Sequence, residues 1–312
     1  MVFEAFFKTV EEIKQLKIQG AQNIAESGLI ALRNAFFEAV SLGYSSEELK
    51  NKVFEMKTIL ESARPTEPLL RNVLNYVWSI IKDDEDLFLL KKDFELACQE
   101  IMNHFRESEE KIAEIGSNLI KNGMIVFTHC HSSTVVKLLK KAYDKGIRFE
   151  VYNTETRPLY QGRITAKELA DYNIKVTHFV DSAARIALKN ADLFLFGCDA
   201  ITAQGKIVNK IGTEMFAEIA QLYGVEVYTV TDSWKFDPLT FFNPEKIEIR
   251  SPYEVWPDCP KNVEILNYAF EMVDKDLIDG IVCEFGIIGV DELIFELKEH
   301  YPFFFQMYSK KV

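Results

Sequence analysis

"MIVFTHCHSSTVVKLLKKAYDKGIRFEVYNTE", residues 124–155, decides the fold. Its opening "MIVFTHC" is a short apolar run of the kind that makes a buried strand. An amphipathic helix over 133–145 follows, and "FEVYNTE" (149–155) returns as a second strand. Strand, helix and strand in about thirty residues is a crossover unit, and crossover units build parallel sheets. The same rhythm continues: "KVTHFVD", "DLFLFGCD" and "VEVYTVTD" read as strands, with "TAKELADYN", "SAARIALKN" and "GTEMFAEIAQLYG" as the helices between. "GIVCEFGII" and "DELIFELKEHY" add one more strand and helix near the end. The expectation is a doubly wound, Rossmann-like α/β domain over 123–312.

Upstream of Gly123 the period changes. "EAFFKTVEEIKQLK" and "EELKNKVFEMKTILESA" space apolar residues three or four apart, as helices with one buried face do. Arg64-Pro65 marks a turn, and Glu67-Pro68 opens the next helix. "DFELACQEIMNHFRESEEKIAEIGSNLI" reads as one long helix ending near Asn122-Gly123. Residues 1–122 are therefore expected to form an N-terminal helical domain.

The 312 residues suit about two domains, and 48% hydrophobic with 12% aromatic residues provides a substantial core. A formal charge of −12 argues against general nucleic-acid binding, yet leaves room for a locally basic cleft. No apolar run reaches the length of a membrane span. The first residues lack the basic start of a signal peptide, and five scattered cysteines form no disulfide framework. The expected setting is reduced and cytoplasmic.

Ligands of an open parallel sheet bind beyond the carboxyl ends of its strands. Those ends carry His129, Cys130 and His131; Thr154 to Arg157; Asp181; Cys198 and Asp199; and Thr231 to Lys235. Strand alternation would send His129 and His131 to one side and Cys130 to the other, and no second Cys/His cluster completes a zinc site. Cys130, just before a helix start, is either a thiol with a lowered pKa or a buried structural cysteine. Asp199, after an apolar strand, is either a half-desolvated acid or a turn or helix-capping aspartate. Cys198 reads as core. "NKIGTEMFAE" (209–218) places Asn209 and Lys210 where a helix N-terminus could meet a phosphate. Neither a dinucleotide fingerprint nor a phosphate-binding P-loop motif occurs.

Taken together, "THCHSS", "TETRPLYQGRITAKELADYNI", "VDSAAR", "GCDAITAQGKIVNKIGT" and "WKFDP" resemble one superfamily. It comprises ribose-1,5-bisphosphate isomerases, methylthioribose-1-phosphate isomerases and the regulatory alpha subunit of eukaryotic initiation factor two B. "KIQGAQNIAE" and "ARPTEPLLRNVLNYV" extend the resemblance through the N-terminal half. "HCHS" and "DSAAR" are most similar to the archaeal ribose-1,5-bisphosphate isomerases. The methylthioribose enzymes carry Asn-Thr-Gly after the cysteine, and the eukaryotic regulatory subunits lack both the cysteine and the aspartate.

The resemblance implies an aldose–ketose isomerase with Cys130 as base and Asp199 as acid, without metal or cofactor. One phosphate would lie on Gln19, Gly20, Ala21 and Arg64, with Ser132 and Ser133 following the catalytic loop. Arg157, Gln161, Asn209, Lys210 and Lys235 would line the rest. Gln19 departs from the family's usual Arg-Gly-Ala; an amide still donates to phosphate, without the charge of a guanidinium. The chemistry needs a thiolate and a carboxylic acid together, so Cys130 is expected to have a lowered pKa. The implied partners are a sugar bisphosphate and further copies of the chain, as a homodimer or an assembly of dimers up to a hexamer. The alternatives are a regulatory subunit that binds a sugar phosphate or nucleotide, and a methylthioribose-1-phosphate isomerase.

Overall fold

The computed structural model describes residues 2–244 and 246–306 and divides into two compact units. The first contains residues up to Glu107 together with Trp234–Asp237 and the chain from Tyr301; the second contains Ser108–Ser233 and Pro238–His300. The run of helices extends to Leu119, whereas compactness divides the chain earlier, inside a helix, and two later segments belong to the first unit.

The first unit is built on α1 (Glu4–Lys14), α2 (Ala21–Ser41), α3 (Ser46–Ala63), α4 (Pro68–Ile81) and the start of α5 (Leu87–Gly116). Local chemistry sets the ends. Ser45 and Glu48 form a reciprocal capping box on α3, and Pro68 takes the first position of α4, where no amide donor is needed. Gly28 lets α2 approach α4, since a Cβ there would lie 2.6 Å from Leu70 Cδ1. Phe36 stacks on Phe94 with ring centroids 3.8 Å apart, at the buried centre of this unit.

The second unit alternates as the sequence predicts. It runs β1 (Ile125–Thr128), α6 (Ser133–Asp144), β2 (Glu150–Thr154), α7 (Gln161–Asp171), β3 (Lys175–Phe179), α8 (Ala184–Leu188) and β4 (Leu193–Phe196). A hairpin follows, β5 (Ala200–Thr202) and β6 (Ile207–Lys210), then α9 (Thr213–Tyr223) and β7 (Glu226–Val230). The two-residue β8 (Phe236–Asp237) belongs to the first unit; the second resumes with β9 (Ile249–Arg250), β10 (Asn267–Tyr268), β11 (Phe270–Val273), β12 (Gly280–Cys283), β13 (Gly286–Ile288) and α10 (Val290–His300).

The main sheet has the order β13-β12-β7-β4-β1-β2-β3, parallel except for β13 at its edge. Central strands are apolar on both faces, and Leu193 to Phe196 are all buried, because helices cover both sides. The chain leaves the middle of the sheet through β1, builds outward to β3, then returns to β4 on the other flank of β1. That reversal makes β1 and β4 hydrogen-bonded neighbours and puts the topological switch point between their carboxyl ends. A second small sheet in this unit pairs β6 with β5 and with β11, all antiparallel, and was not anticipated from the sequence.

Candidate active site

Cys130 and Asp199 follow the two strands that flank the switch point, so topology alone brings them to neighbouring strand ends. β1 stops at Thr128, two residues before Cys130, which adopts a left-handed φ of 66°. The bend is held from both sides: the Cys130 amide donates to Thr156 Oγ1 at 3.0 Å, and its carbonyl accepts from Thr165 Oγ1 at 2.9 Å. Thr156 is fixed in turn, because the Asp181 carboxylate accepts from the amides of Thr156 (2.8 Å) and Arg157 (2.7 Å). Ser132 caps α6, its Oγ accepting from the Val135 amide, and Ser133 is the first helical residue, exposed. Gly197 makes this approach feasible, since a Cβ there would sit 2.7 Å from Ser132 Cβ.

The expected lowering of the thiol pKa is not what this geometry gives. Burial is the largest influence on Cys130 and pushes it up, to about 11. Lys210 opposes the rise, whereas the negative charges of Asp199 and Asp181 add to it. Two residues and a reversed φ separate Cys130 from the first helical amides, so desolvation outweighs the helix terminus.

The histidines are not metal ligands beside the thiol. His129 is buried; its Nδ1 lies 2.6 Å from Thr154 Oγ1 and its Nε2 3.0 Å from the Ile211 carbonyl. A carbonyl only accepts, so Nε2 carries the hydrogen and Nδ1 accepts from the threonine. Both nitrogens are spent on protein groups, and burial drives the imidazole pKa down to about 4, holding it neutral. His131 Nδ1 pairs with Thr165 Oγ1 at 3.1 Å, and burial lowers its pKa as well.

Asp199 is half-buried and donates its amide to the Val208 carbonyl at 2.9 Å, entering the β5–β6 hairpin. It begins a hairpin and caps no helix. Cys198 is buried, as read. The hairpin's far end delivers Asn209 and Lys210, both buried. Asn209 Nδ2 donates to Thr213 Oγ1 at 3.0 Å, and Lys210 Nζ stands 4.5 Å from the centroid of Phe270, its cross-strand partner.

The start of α9, expected as an anion seat, faces a carboxylate of the protein. Glu271, opposite Asn209 in the small sheet, accepts from the Glu214 amide at 2.9 Å. A carboxylate thus already meets one amide of this helix end, and the sequence could not show that a strand sixty residues on would supply it.

A crevice of about 210 Å3, open mouth included, has Gln161, Lys210, Arg250, Glu254, Asn267 and Tyr268 in its lining. Among the described residues, the buried Gln161 Oε1 has no partner, which leaves an acceptor for a ligand hydroxyl. Arg157 is exposed; its guanidinium bonds Tyr160 Oη (2.6 Å) and the Val255 carbonyl (3.3 Å). The remaining expected residues belong to the first unit. Gln19 is exposed and donates to the Leu16 carbonyl at 2.8 Å, Gly20 (φ 86°) and Ala21 open α2, and buried Arg64 pairs with Glu67 at 2.9 Å. Lys235, also buried, ends a short 3-10 turn. Arg250, Glu254 and Asn267 were missed because they follow the last clear strand–helix repeat, where no periodic signal points to them.

Comparison with known proteins now places the chain. Residues 17–289 match the Initiation factor 2 subunit family. The ribose 1,5-bisphosphate isomerase of Pyrococcus furiosus is 37% identical over 98% of this chain and 97% of its own. That of Methanocaldococcus jannaschii is 40% identical over 90% of each. Among solved structures, the Pyrococcus horikoshii translation initiation factor eIF-2B superposes with a TM-score of 0.79 at 26% identity, covering 91% of this chain and 97% of that one.

Proposed function

This chain belongs to the Initiation factor 2 subunit family, and from that premise we propose that it is an isomerase converting ribose 1,5-bisphosphate to ribulose 1,5-bisphosphate. The observation that carries the reading is the pairing of β1 with β4, which sets Cys130 and Asp199 on adjacent strand ends in a chain 37–40% identical to enzymes of that name.

The chemistry has a definite requirement. Phosphate on O1 leaves the anomeric carbon without a free hydroxyl, so deprotonation cannot open the ring. Asp199 protonates the ring oxygen as its bond to C1 breaks. Cys130 removes the C2 proton, giving an enol phosphate, and returns that proton to C1 while the O2 hydroxyl proton goes back to Asp199. Atoms and charges balance, and no electron carrier enters. The state this needs, thiolate with carboxylic acid, holds the same single proton as thiol with carboxylate. Lys210, which favours the thiolate, supports that internal transfer. Lys210, Arg157 and the amides at the start of α6 are the groups of the second unit suited to the substrate's charges. Gln19, Gly20, Ala21, Arg64 and Lys235 retain the phosphate and substrate roles that the family resemblance gives them. A cytoplasmic, self-assembling enzyme acting on ribose bisphosphate derived from nucleotides completes the reading; among the described residues no helix is long and apolar enough to cross a membrane.

NMR-monitored incubation with ribose 1,5-bisphosphate tests it. Wild type is expected to form ribulose 1,5-bisphosphate, with Cys130→Ser and Asp199→Asn each slowed by roughly 10²–10⁴-fold. Tight sugar-phosphate or nucleotide binding without turnover would move the chain to the regulatory subunits, a reading that the eIF-2B likeness makes the first to consider. Turnover of methylthioribose 1-phosphate alone would assign the related isomerase instead.

A further inference from the structure

Cys130 follows β1 and Lys210 ends β6, and their spacing depends on the 210–213 turn. Four anchors hold that turn. His129 Nε2 donates to the Ile211 carbonyl at 3.0 Å, tying it to the residue before Cys130. Thr213 Oγ1 donates to the Lys210 carbonyl at 2.6 Å and accepts from Asn209 Nδ2. Ile211 donates its amide to the Ala269 carbonyl at 3.2 Å. Glu271 accepts from the Glu214 amide at 2.9 Å, in the first turn of α9. These last two anchors come from outside the turn, from β11 and the residue before it. Gly212 itself sits at φ 102°, which glycine adopts freely and residues with a side chain rarely do.

We propose that Glu271 is a positioning residue for the isomerisation: its carboxylate, hydrogen-bonded to the Glu214 amide, fixes the start of α9 and with it the turn that carries Lys210 and receives His129 beside Cys130. The proposal rests on the isomerase reading, because it assigns Cys130 a reacting role. Glu271 touches neither Cys130 nor substrate in this account; it acts through the backbone. The register explains why one carboxylate serves both purposes. Glu271 opposes Asn209 and its neighbour Phe270 opposes Lys210, so a shift of β11 moves both binding residues together.

The test uses full-length Glu271→Gln, which keeps the side-chain shape and one acceptor oxygen but removes the charge that strengthens the bond to the Glu214 amide. Two readouts are taken at a temperature where circular dichroism shows the variant folded. The first is kcat and KM; kcat is expected to fall by about ten- to 10²-fold, the cost of a small misplacement at a reacting centre, with KM changing less. The second is the iodoacetamide alkylation rate of Cys130 at pH 9, resolved by peptide mass spectrometry, with Cys259 as internal reference. Displacing Lys210 raises the thiol pKa, so alkylation of Cys130 is expected to slow. Simple removal of a negative charge would speed it, so a faster rate would overturn the proposal. An unchanged rate with unchanged kcat and a lower melting temperature would also overturn it and leave Glu271 as a helix cap. Should Glu271→Gln lose its fold, Glu271→Asp, one methylene short of the Glu214 amide, is read the same way. The alkylation arm needs no substrate, so a wild type inactive on ribose 1,5-bisphosphate would sink the functional reading without deciding this one.

Discussion

A thiol held near 11 beside a carboxylate has a distinctive pH behaviour. The catalytic arrangement and the resting one differ only in where one proton sits, so their ratio stays constant while the pair as a whole keeps that proton. kcat/KM is therefore expected to be flat through neutral pH and to fall on an alkaline limb near 11, where the shared proton is lost. Roughly one Cys130 thiol in 10⁴ is ionised at pH 7, so its alkylation there should run about 10²-fold slower than that of free cysteine. Rapid modification at pH 7 would show that desolvation is not what sets this thiol. Cys130 and Asp199 themselves were legible in the sequence, because a polar residue ending an apolar strand is visible without coordinates. The direction of the thiol shift was not. It depends on burial and on charges from Lys210, Asp199 and Asp181, which lie far apart along the chain.

At the scale of elements, the β2–α7 turn is the tightest support of the site. Gly162 in α7 lies against β2, and a Cβ there would come within 1.8 Å of the Thr154 carbonyl oxygen. Backbone cannot yield as a side chain tip can, so Gly162→Ala must push α7 away from β2. We expect a loss of stability on the order of 1–3 kcal/mol, read as a lower urea midpoint. Activity should fall as well, since Thr154, Thr156 and Thr165, which hold His129 and Cys130, all flank that turn. A midpoint equal to wild type would mean that the strand and helix tolerate separation. The alternation of β1 to β4 with their helices was readable from hydrophobic period. The β5–β6–β11 sheet escaped because β5 and β6 are three and four residues long and β11 pairs with a partner sixty residues away.

For the whole molecule, buried titratable groups make stability depend on pH at both extremes. The folded pKa of His129 is about 4 against an ordinary 6.5, so between those values the unfolded chain binds a proton that the native state refuses. Its contribution is intact above pH 6.5 and is lost as pH falls toward 4, amounting to about 3 kcal/mol. The buried thiols act at the other end. Cys130 is raised to about 11, and Cys98 and Cys283 to about 12, from 9, so the native state keeps protons that the unfolded state releases. Stability should thus decline as pH climbs from 9 toward 12. Urea midpoints across pH 4–12 check both limbs; an acid limb that starts well below pH 6 would remove His129 as its source.

The sequence by itself determined the helical first half, the parallel α/β second half and the strand ends that carry Cys130 and Asp199. These features rest on local periodicity and on chain direction, both of which a linear string contains. Only the tertiary structure decided that Glu271 meets the start of α9, that Lys210 opposes the burial of the thiol, and that Gly162 and Gly197 permit close approaches. Each of those outcomes depends on which distant groups share a few ångströms and how much water is excluded there. Desolvation and hydrogen bonding are set by that proximity, and no pattern along the chain encodes it.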